Sequence, residues 1–213
     1  MYVPPIYQTQ DENRLLSVVR RHPLAVLVTN GDAIPFATHL PVITTEEHGL
    51  VGSTLLGHLN RANPHWSSLR EGMPAKLIFS GPSSYVTPAV YRTSPASPTW
   101  NFVSVHLEGT LRPITDVEST LDVVQRTVAA FEDSFGDGWD QLSSQGYFRD
   151  IVPGVGAFRF EVEAAHGMFK LSQEKDAEIR SRIIERFEAD TSGSTRELGS
   201  IMCEFGRGAT HGE

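Results

Sequence analysis

The sequence has 213 residues, a formal net charge of −8 and an isoelectric point of about 5.5. This length suits one domain with an apolar core, and two small domains are the alternative. The acidic balance argues against sequence-independent binding to DNA, which needs a basic face. Cys203 is the only cysteine, so no disulfide can form within the chain and no cluster of thiolates can hold a metal ion.

The sequence shows no targeting or membrane-spanning pattern. Its first residues contain no basic segment followed by an apolar one, and no apolar run approaches the ~20 residues that span a bilayer. We therefore expect a cytoplasmic protein with neither a membrane nor a nucleic acid among its partners. We also expect a single domain over residues 1–188 and a loose tail over residues 189–213, where Ser, Thr and Gly become frequent.

The first half of the chain contains a predicted helix followed by predicted strands. Asp11 is a favoured N-cap for a short amphipathic helix, which ends at His22-Pro23. Two β-type runs flank the turn signal at residues 30–32 and predict a hairpin. The strands predicted in this half are residues 24–29, 34–43, 50–54 and 75–79.

The second half adds two strands and the longer helices. Residues 102–111 and 158–162 alternate apolar with polar side chains, which predicts strands with one dry face. Apolar residues at three- and four-residue steps after Thr115, a candidate N-cap, predict a long helix, and residues 177–187 predict a charged one. Because short strands dominate and no alternating strand and helix series occurs, we predict a mainly β fold, an antiparallel barrel with peripheral helices.

Three segments in the middle of the chain place His, Arg, Tyr and Trp residues between prolines: 57–66, 80–92 and 97–102. Aromatic rings stack on flat ligands and guanidinium groups bind carboxylates or phosphates, whereas a core has little use for so many polar groups. These segments predict a pocket for a planar anionic cofactor. Arg61 and Arg92 are candidates to bind its acid groups, and the alternative for each is a surface salt bridge.

His65 is a candidate metal ligand. It follows Asn63-Pro64, a favoured N-cap and a favoured first residue of a helix. The positive end of that short helix disfavours a charged imidazole, so we expect a neutral ring with a lone pair free for iron. The alternative is a surface or helix-start histidine without a ligand role. His58, predicted in a turn, shares the segment, and no spacing of histidines or carboxylates indicates a closed zinc site.

The chain resembles known families through dispersed motifs. Residues 1–4, 58–64, 85–91, 98–101 and 170–173 resemble, in that order, the PaiB-like family of FMN-binding proteins, whose fold is the split β-barrel of flavin reductases. Residues 60–66, 94–102 and 147–159 are similar to piperazate synthases, the branch of that family that carries heme in place of flavin. The resemblance covers nearly the whole chain, up to about Phe187.

The narrower resemblance implies a heme enzyme. Heme b would be the cofactor, and His65 would be the axial ligand of its iron. The reaction in that branch closes the N–N bond of L-piperazic acid from the substrate N5-hydroxy-L-ornithine, with loss of water. The residues implied to contact the cofactor are Asn60, Arg61, Trp66, Arg92 and Trp100. The candidates for the general acid or base are His58, Tyr91 and Lys170.

The resemblance also implies a homodimer with the cofactor between the subunits. The alternative cofactor is FMN, in a PaiB-like transcriptional regulator or a flavin reductase that uses the same segments. A heme-degrading or heme-storing split barrel is a third reading. A regulator would need DNA contacts, which the acidic balance and the lack of a helix-turn-helix pattern disfavour.

Overall fold

The computed structural model describes residues 1–45 and 49–208 and divides the chain into two compact units. The barrel unit comprises Asp11–Phe79 and His106–Ala165. The terminal unit comprises Met1–Gln10, Ser80–Val105 and His166–Glu213. The single domain expected over residues 1–188 stays a prediction.

Six strands form a closed barrel with the order β1-β2-β3-β6-β5-β4. The pairs of β1 with β2, β1 with β4, β2 with β3 and β3 with β6 are antiparallel. The predicted antiparallel barrel with peripheral helices is therefore confirmed. The strands are β1 Leu24–Thr29, β2 Phe36–Thr44, β3 Thr54–Asn60, β4 Met73–Val86, β5 Thr99–Ile114 and β6 Val155–Lys170.

The core of the barrel unit receives large apolar side chains from every strand. Each such side chain stabilises the fold by roughly 1.5–3 kcal/mol when it leaves water. Gly57 of β3 lies opposite Phe158 of β6, and a Cβ atom at Gly57 would stand 2.4 Å from the phenyl ring. The glycine thus makes room for the ring. The fully buried side chains include Leu27, Leu40, Leu55, Leu77, Leu107, Phe158 and Phe160.

Helices flank the strands, and side chains cap several of them. Asp11 accepts hydrogen bonds from two backbone amides at the start of α1, as predicted. The long helix α3 is also confirmed, but its N-cap is Asp116 and not Thr115. No helix in the described ranges is long and apolar enough to cross a membrane. The helices are α1 Glu12–Arg21, α2 Pro64–Ser68, α3 Val117–Phe135, α4 Gln145–Ile151, α5 Ala177–Glu188 and α6 Gly193–Gly208.

The strand predicted at residues 50–54 is wrong, because β3 begins only at Thr54. Residues 50–53 form a turn in which the Ser53 hydroxyl donates to the Leu50 carbonyl at 2.7 Å, and Gly52 has a φ of +83°. The strand then continues to residue 60. His58 therefore lies in β3 and not in the predicted turn.

Strands β4 and β5 extend beyond the ranges 75–79 and 102–111 that were predicted for them. Residues 80–85 belong to β4 and residues 99–101 to β5. Glycine and proline are depleted in strands, but Gly81 lies against Val103, where a Cβ atom would stand 3.1 Å from the valine Cβ. Close approach of a neighbouring strand favours glycine there, so tertiary pairing overrides the local preference.

The prediction of a loose tail is wrong for residues 193–208, which form helix α6. Leu198 and Met202, four residues apart, are fully buried, and Phe205 stacks on Phe169 with ring centroids 5.0 Å apart. Gly199 packs against Phe187 of α5. The small residues that suggested a tail instead allow α6 to approach α5 closely. Residues 209–213 lie outside the described residues.

Candidate functional site

His65 stands in the barrel unit at the start of α2, as predicted. The Asn63 side chain accepts a hydrogen bond from the His65 amide at 2.9 Å, and Pro64 is the first helical residue. This cap holds the backbone of His65 in one place, because it satisfies an amide that a helix start would otherwise leave unpaired.

The His65 ring is buried between two threonines, with the residue only 1% exposed. Nε2 hydrogen-bonds with the Thr29 hydroxyl at 2.9 Å, and Nδ1 with the Thr38 hydroxyl at 2.8 Å. We call these three residues the threonine clamp. The Asn63 amide donates to the Thr38 hydroxyl at 3.3 Å, and Phe36 stacks on the imidazole with centroids 5.1 Å apart.

Burial lowers the pKa of His65 below its ordinary value. The ring is therefore neutral at physiological pH, and the dominant cause is desolvation. The ring does not lie at the surface, so the surface part of the alternative reading is wrong, whereas a helix-start histidine without a ligand role stays an alternative. Both ring nitrogens have hydroxyl partners, so a metal can bind only if one threonine is exchanged for it.

Arg61 and Trp66 join the end of β3 to the start of β6. The Arg61 Nε donates to the Val155 carbonyl at 2.8 Å, and its guanidinium lies 5.5 Å from the centre of the Trp66 ring. The indole covers Gly156 so closely that a Cβ atom there would stand 2.4 Å from it. Asn60, the last residue of β3, accepts a backbone hydrogen bond in the following turn. These contacts fix α2, and the cofactor contacts of the three residues stay predictions.

His58 projects from the middle of β3, opposite Ala157 of β6. Its Nδ1 is buried and has no hydrogen-bond partner among the described residues, and burial lowers its pKa. A neutral, unpaired imidazole nitrogen can accept a proton, which keeps His58 a candidate base. Within residues 1–45 and 49–208, no three His, Cys, Asp or Glu side chains are grouped to hold a metal ion.

Tyr91 belongs to the terminal unit and is 2% exposed. Its hydroxyl is buried and has no hydrogen-bond partner in the part of the chain that the structure describes. Burial, and then the negative charge of Glu174 and the proximity of Tyr85, raise the pKa of this phenol. The ammonium group of Lys175 lies 5.1 Å from the centre of the ring. Tyr91 therefore keeps its proton at neutral pH.

Arg182 of α5 holds the backbone around Tyr91, and the sequence did not reveal it. Its Nε donates to the Val90 carbonyl at 2.9 Å and its Nη2 to the Tyr91 carbonyl at 2.7 Å. The next residue, Arg92, is exposed and has a φ of +54°, a conformation that a residue with a side chain seldom adopts. Arg182 also forms an ion pair with Glu178, four residues earlier in α5. Because such pairs are common on the solvated faces of helices, the sequence pattern did not single out Arg182.

The remaining predicted residues of the terminal unit lie near its surface. Trp100 is 51% exposed and meets Tyr85 edge to face, with centroids 6.0 Å apart. The Lys170 ammonium lies 5.9 Å from the centre of the Tyr7 ring. A cavity of about 240 Å³ beside Tyr85 is lined partly by Arg186 of α5. Typical ligand pockets exceed about 300 Å³, so this cavity is smaller than a typical cofactor pocket.

Two of the sequence motifs are bonded to each other inside the terminal unit. The Asn101 amide donates to the Ser172 hydroxyl at 2.9 Å, and that hydroxyl lies 3.1 Å from the Asn101 carbonyl oxygen. Both residues are fully buried, and Ser172 has a φ of +58°. The motif at residues 170–173 is therefore tied to the one at residues 98–101.

The predicted site residues are thus divided between the two units. Those in the barrel unit are His58, Asn60, Arg61, His65 and Trp66, and those in the terminal unit are Tyr91, Arg92, Trp100 and Lys170.

Comparison with known proteins identifies the family. Residues 1–164 match the family described as "Putative FMN-binding domain". The chain belongs to this family. "Protease synthase and sporulation protein PAI 2" of Bacillus subtilis is 23% identical over 204 residues, which cover 95% of this chain and 96% of the relative. The PaiB-like, FMN-binding split-barrel family inferred from the dispersed motifs is therefore confirmed.

Solved structures share the fold. The FAD and heme binding protein from Mycobacterium smegmatis has a TM-score of 0.57 and 18% identity, covering 82% of this chain and 78% of the other. The flavocytochrome Anf3 from Azotobacter vinelandii has a TM-score of 0.58 and 18% identity, covering 82% and 75%. At this level of identity the likeness extends to the fold alone.

Proposed function

We propose that this member of the family binds heme b and forms the N–N bond of L-piperazic acid from N5-hydroxy-L-ornithine with loss of water. The observation that carries the proposal is the neutral, buried imidazole of His65, fixed by the Asn63 cap in a segment similar to piperazate synthases. Family membership supports a flat cofactor and does not distinguish heme from flavin.

His65 can supply the axial ligand of a heme once one of its two threonine hydrogen bonds is exchanged for iron. A porphyrin supplies four nitrogen ligands, so the protein needs to add only an axial one, and a neutral imidazole is a common choice. Histidines that bind metals usually donate their second ring N–H to a neighbouring oxygen, and the threonine clamp supplies such an oxygen. A ferric heme, when bound, supplies a Lewis acid that weakens the N–O bond of a hydroxylamine.

The reaction needs no external electrons. The N5–O bond breaks, the α-nitrogen bonds to N5, one proton leaves the α-amine, and the departing oxygen leaves as water. A proton donor must therefore serve the oxygen. Tyr91 suits that role, because its phenol is protonated at neutral pH and has no competing partner among the described residues. His58 and Lys170 remain the other candidates for proton transfer.

The absorption spectrum of the purified protein tests the cofactor. We expect a Soret band that His65→Ala abolishes or shifts strongly, while His39→Ala, which replaces an exposed histidine, leaves it unchanged. A Soret band that is identical in His65→Ala and in the wild-type protein would contradict the assignment of the ligand.

An anaerobic assay tests the reaction. Ferric protein should convert N5-hydroxy-L-ornithine to piperazate without NADPH, flavin or dioxygen. L-Ornithine should not react, because it lacks the hydroxyl group whose departure makes the nitrogen electrophilic. Product that forms only after addition of a reductant or of oxygen would overturn the redox-neutral scheme.

The second candidate is an FMN-binding, PaiB-like regulator or a flavin reductase. The match to PAI 2 along nearly the full length of both chains favours it, as does the description of the family. Flavin absorption with bright fluorescence, and no Soret band after growth with iron, would support this candidate. A mobility shift with DNA would then separate a regulator from a reductase. The homodimer, the lack of nucleic-acid binding and the cytoplasmic location stay predictions.

A further inference from the structure

We propose that a cavity beside α5 binds a small α-amino acid with an apolar side chain, whose carboxylate is bound by Arg186 and whose ammonium group is bound by Asp190. We call it the α5 cavity; it measures about 240 Å³ and lies between residues 84–90 and residues 183–190. All of these residues belong to the terminal unit. Neither charged residue is among the predicted cofactor or proton-transfer residues, so the inference goes beyond the proposed function.

One part of the cavity lining is apolar. Val86, Ile183 and Phe187 contribute to it and are at most 3% exposed. At about 30 Å³ per water molecule, a volume of about 240 Å³ accommodates roughly eight atoms of that size. A small amino acid such as L-valine has this size, whereas FMN and heme are far larger. The hydrocarbon side chain of such a ligand is stabilised when it leaves water for this lining.

Asp190 supplies a carboxylate that is largely withdrawn from solvent. Its Oδ2 accepts from the Arg186 Nη1 at 2.7 Å, and its side chain is 23% exposed. Arg182 and Glu178 have the same four-residue spacing in α5, but the Glu178 side chain is 84% exposed, as is usual for a solvated pair. Asp190 thus lies in the cavity wall and does not simply extend into water.

The Asp190 carboxylate is ionised and can bind a further donor. The backbone amide of Ser192 donates to Oδ1 at 3.0 Å, and this bond, together with the Arg186 guanidinium, lowers the pKa of Asp190. The two oxygens of a carboxylate together offer about four acceptor positions. The hydrogen bonds from Ser192 and Arg186 use two of them, so the carboxylate can also accept from the ammonium group of a ligand.

Arg186 and Thr87 supply donors for the carboxylate of the ligand. Among the described residues Arg186 bonds only through Nη1, so Nε and Nη2 keep the edge that binds a carboxylate with two parallel hydrogen bonds. The Thr87 hydroxyl also lines the cavity and accepts from the Ala89 amide at 3.3 Å. Because the oxygen accepts in that bond, the hydroxyl hydrogen can be donated to a ligand.

Backbone contacts hold Asp190 in place between α5 and α6. Its amide donates to the Phe187 carbonyl at 3.1 Å. Arg196 of α6 donates to the carbonyls of Asp190 and Thr191, each at 2.8 Å. Two opposite charges on the wall of a partly apolar cavity match a zwitterion, and their fixed position means that binding loses little free energy to ordering of the site.

Two analogues of L-valine separate the roles of the two charges. 3-Methylbutanoate is L-valine without the ammonium group, and 2-methylpropylamine is L-valine without the carboxylate. Each should bind at least about tenfold more weakly than L-valine, because each loses its hydrogen bonds to one charged residue.

The experiment titrates the full-length protein with L-valine in a calorimeter, and proton–nitrogen NMR spectra locate the binding site. We expect saturable binding with a Kd at or below about 1 mM, together with shifts of the backbone amides of residues 84–90. Arg186→Gln and Asp190→Asn should each weaken the binding at least about tenfold. Circular dichroism and thermal melting verify that the variants are folded.

The control variants are Arg126→Gln and Asp122→Asn. They alter an Arg–Asp pair with the same four-residue spacing in α3 of the barrel unit, so they should bind L-valine as the wild-type protein does.

The proposal is overturned if L-valine does not bind saturably in this range, or if it shifts the amides of another region. If either analogue binds as tightly as L-valine, the cavity does not recognise a zwitterion and the ligand class is wrong. These ligand comparisons use the wild-type protein, so they test the proposal even if a variant does not fold. Unchanged binding by folded Arg186→Gln or Asp190→Asn would contradict the role of that residue. None of the measurements uses heme or N5-hydroxy-L-ornithine, so the proposed function is tested separately.

Discussion

Gly156 is predicted to be indispensable to the contact that holds α2 against β6. Its φ lies outside the left-handed region, so the backbone accepts alanine and the cost of Gly156→Ala is steric. An alanine Cβ would stand 2.4 Å from two carbons of the Trp66 indole, about 1 Å inside ordinary van der Waals contact. The rigid ring must tilt as a whole, and the Arg61 guanidinium 5.5 Å from its centre must move with it.

Forced overpacking of this kind usually costs about 1–3 kcal/mol of unfolding free energy. For a chain of this length, 1 kcal/mol corresponds to about 2–4 °C in Tm, so Gly156→Ala should lower Tm by about 2–12 °C. Because Trp66 follows His65 directly in α2, a tilted indole also disturbs the threonine clamp. The variant should therefore bind hemin more weakly than the wild-type protein.

Thermal melting and urea unfolding, both followed by circular dichroism, measure the first effect, and a hemin titration measures the second. The matched control is Gly154→Ala, two residues earlier, where an added Cβ meets nothing within 4 Å. It should remain within about 0.5 kcal/mol of the wild-type protein. If Gly156→Ala is as stable as Gly154→Ala, the close approach of Trp66 to β6 does not exist in solution and the reasoning is refuted.

Three further predictions concern other parts of the chain. Leu198→Ala should lower the free energy of unfolding in urea by about 2–5 kcal/mol, because it leaves a cavity under α6. Ser200→Ala, at an exposed position of the same helix, should change this free energy little. Equal free energies for the two variants would support the loose tail and contradict the packing of α6. The Ser119 amide at the start of α3 lowers the pKa of Asp116, so this carboxylate stabilises the fold above its unfolded pKa and the stabilisation is lost as pH falls through the folded pKa. The asparagine introduced by Asp116→Asn would keep the cap but would not titrate. The unfolding free energy of this variant should therefore fall less between about pH 5 and pH 2 than that of the wild-type protein. Parallel plots of unfolding free energy against pH for the two proteins would contradict the stabilising role of the Asp116 carboxylate. Tyr91→Phe removes a buried hydroxyl that has no partner among the described residues, so it should raise the unfolding free energy by up to about 1–3 kcal/mol. The same variant should form piperazate more slowly, and an unchanged rate would exclude Tyr91 as the proton donor.

Local features were predictable from the sequence because their causes lie within a few residues. The cap at Asp11 acts on amides two and three residues later, and the cap at Asn63 acts on the amide of His65. The alternating pattern of β6 and the stripes of α3 and α5 reflect the periods of strand and helix. The dispersed motifs likewise indicated the family, because a family leaves its pattern in the residues themselves.

The surroundings of the candidate site were decided by the tertiary structure. The ring of His65 meets Thr29 and Thr38, which lie 36 and 27 residues earlier, and no local pattern relates them. Arg182 reaches carbonyls about ninety residues away, and Asn101 bonds with Ser172 across 71 residues. Such contacts depend on which strands pair and in which register. The same reason explains β4 and α6: Gly81 and Gly199, which by themselves disfavour strand and helix, become close-packing positions once Val103 and Phe187 lie against them.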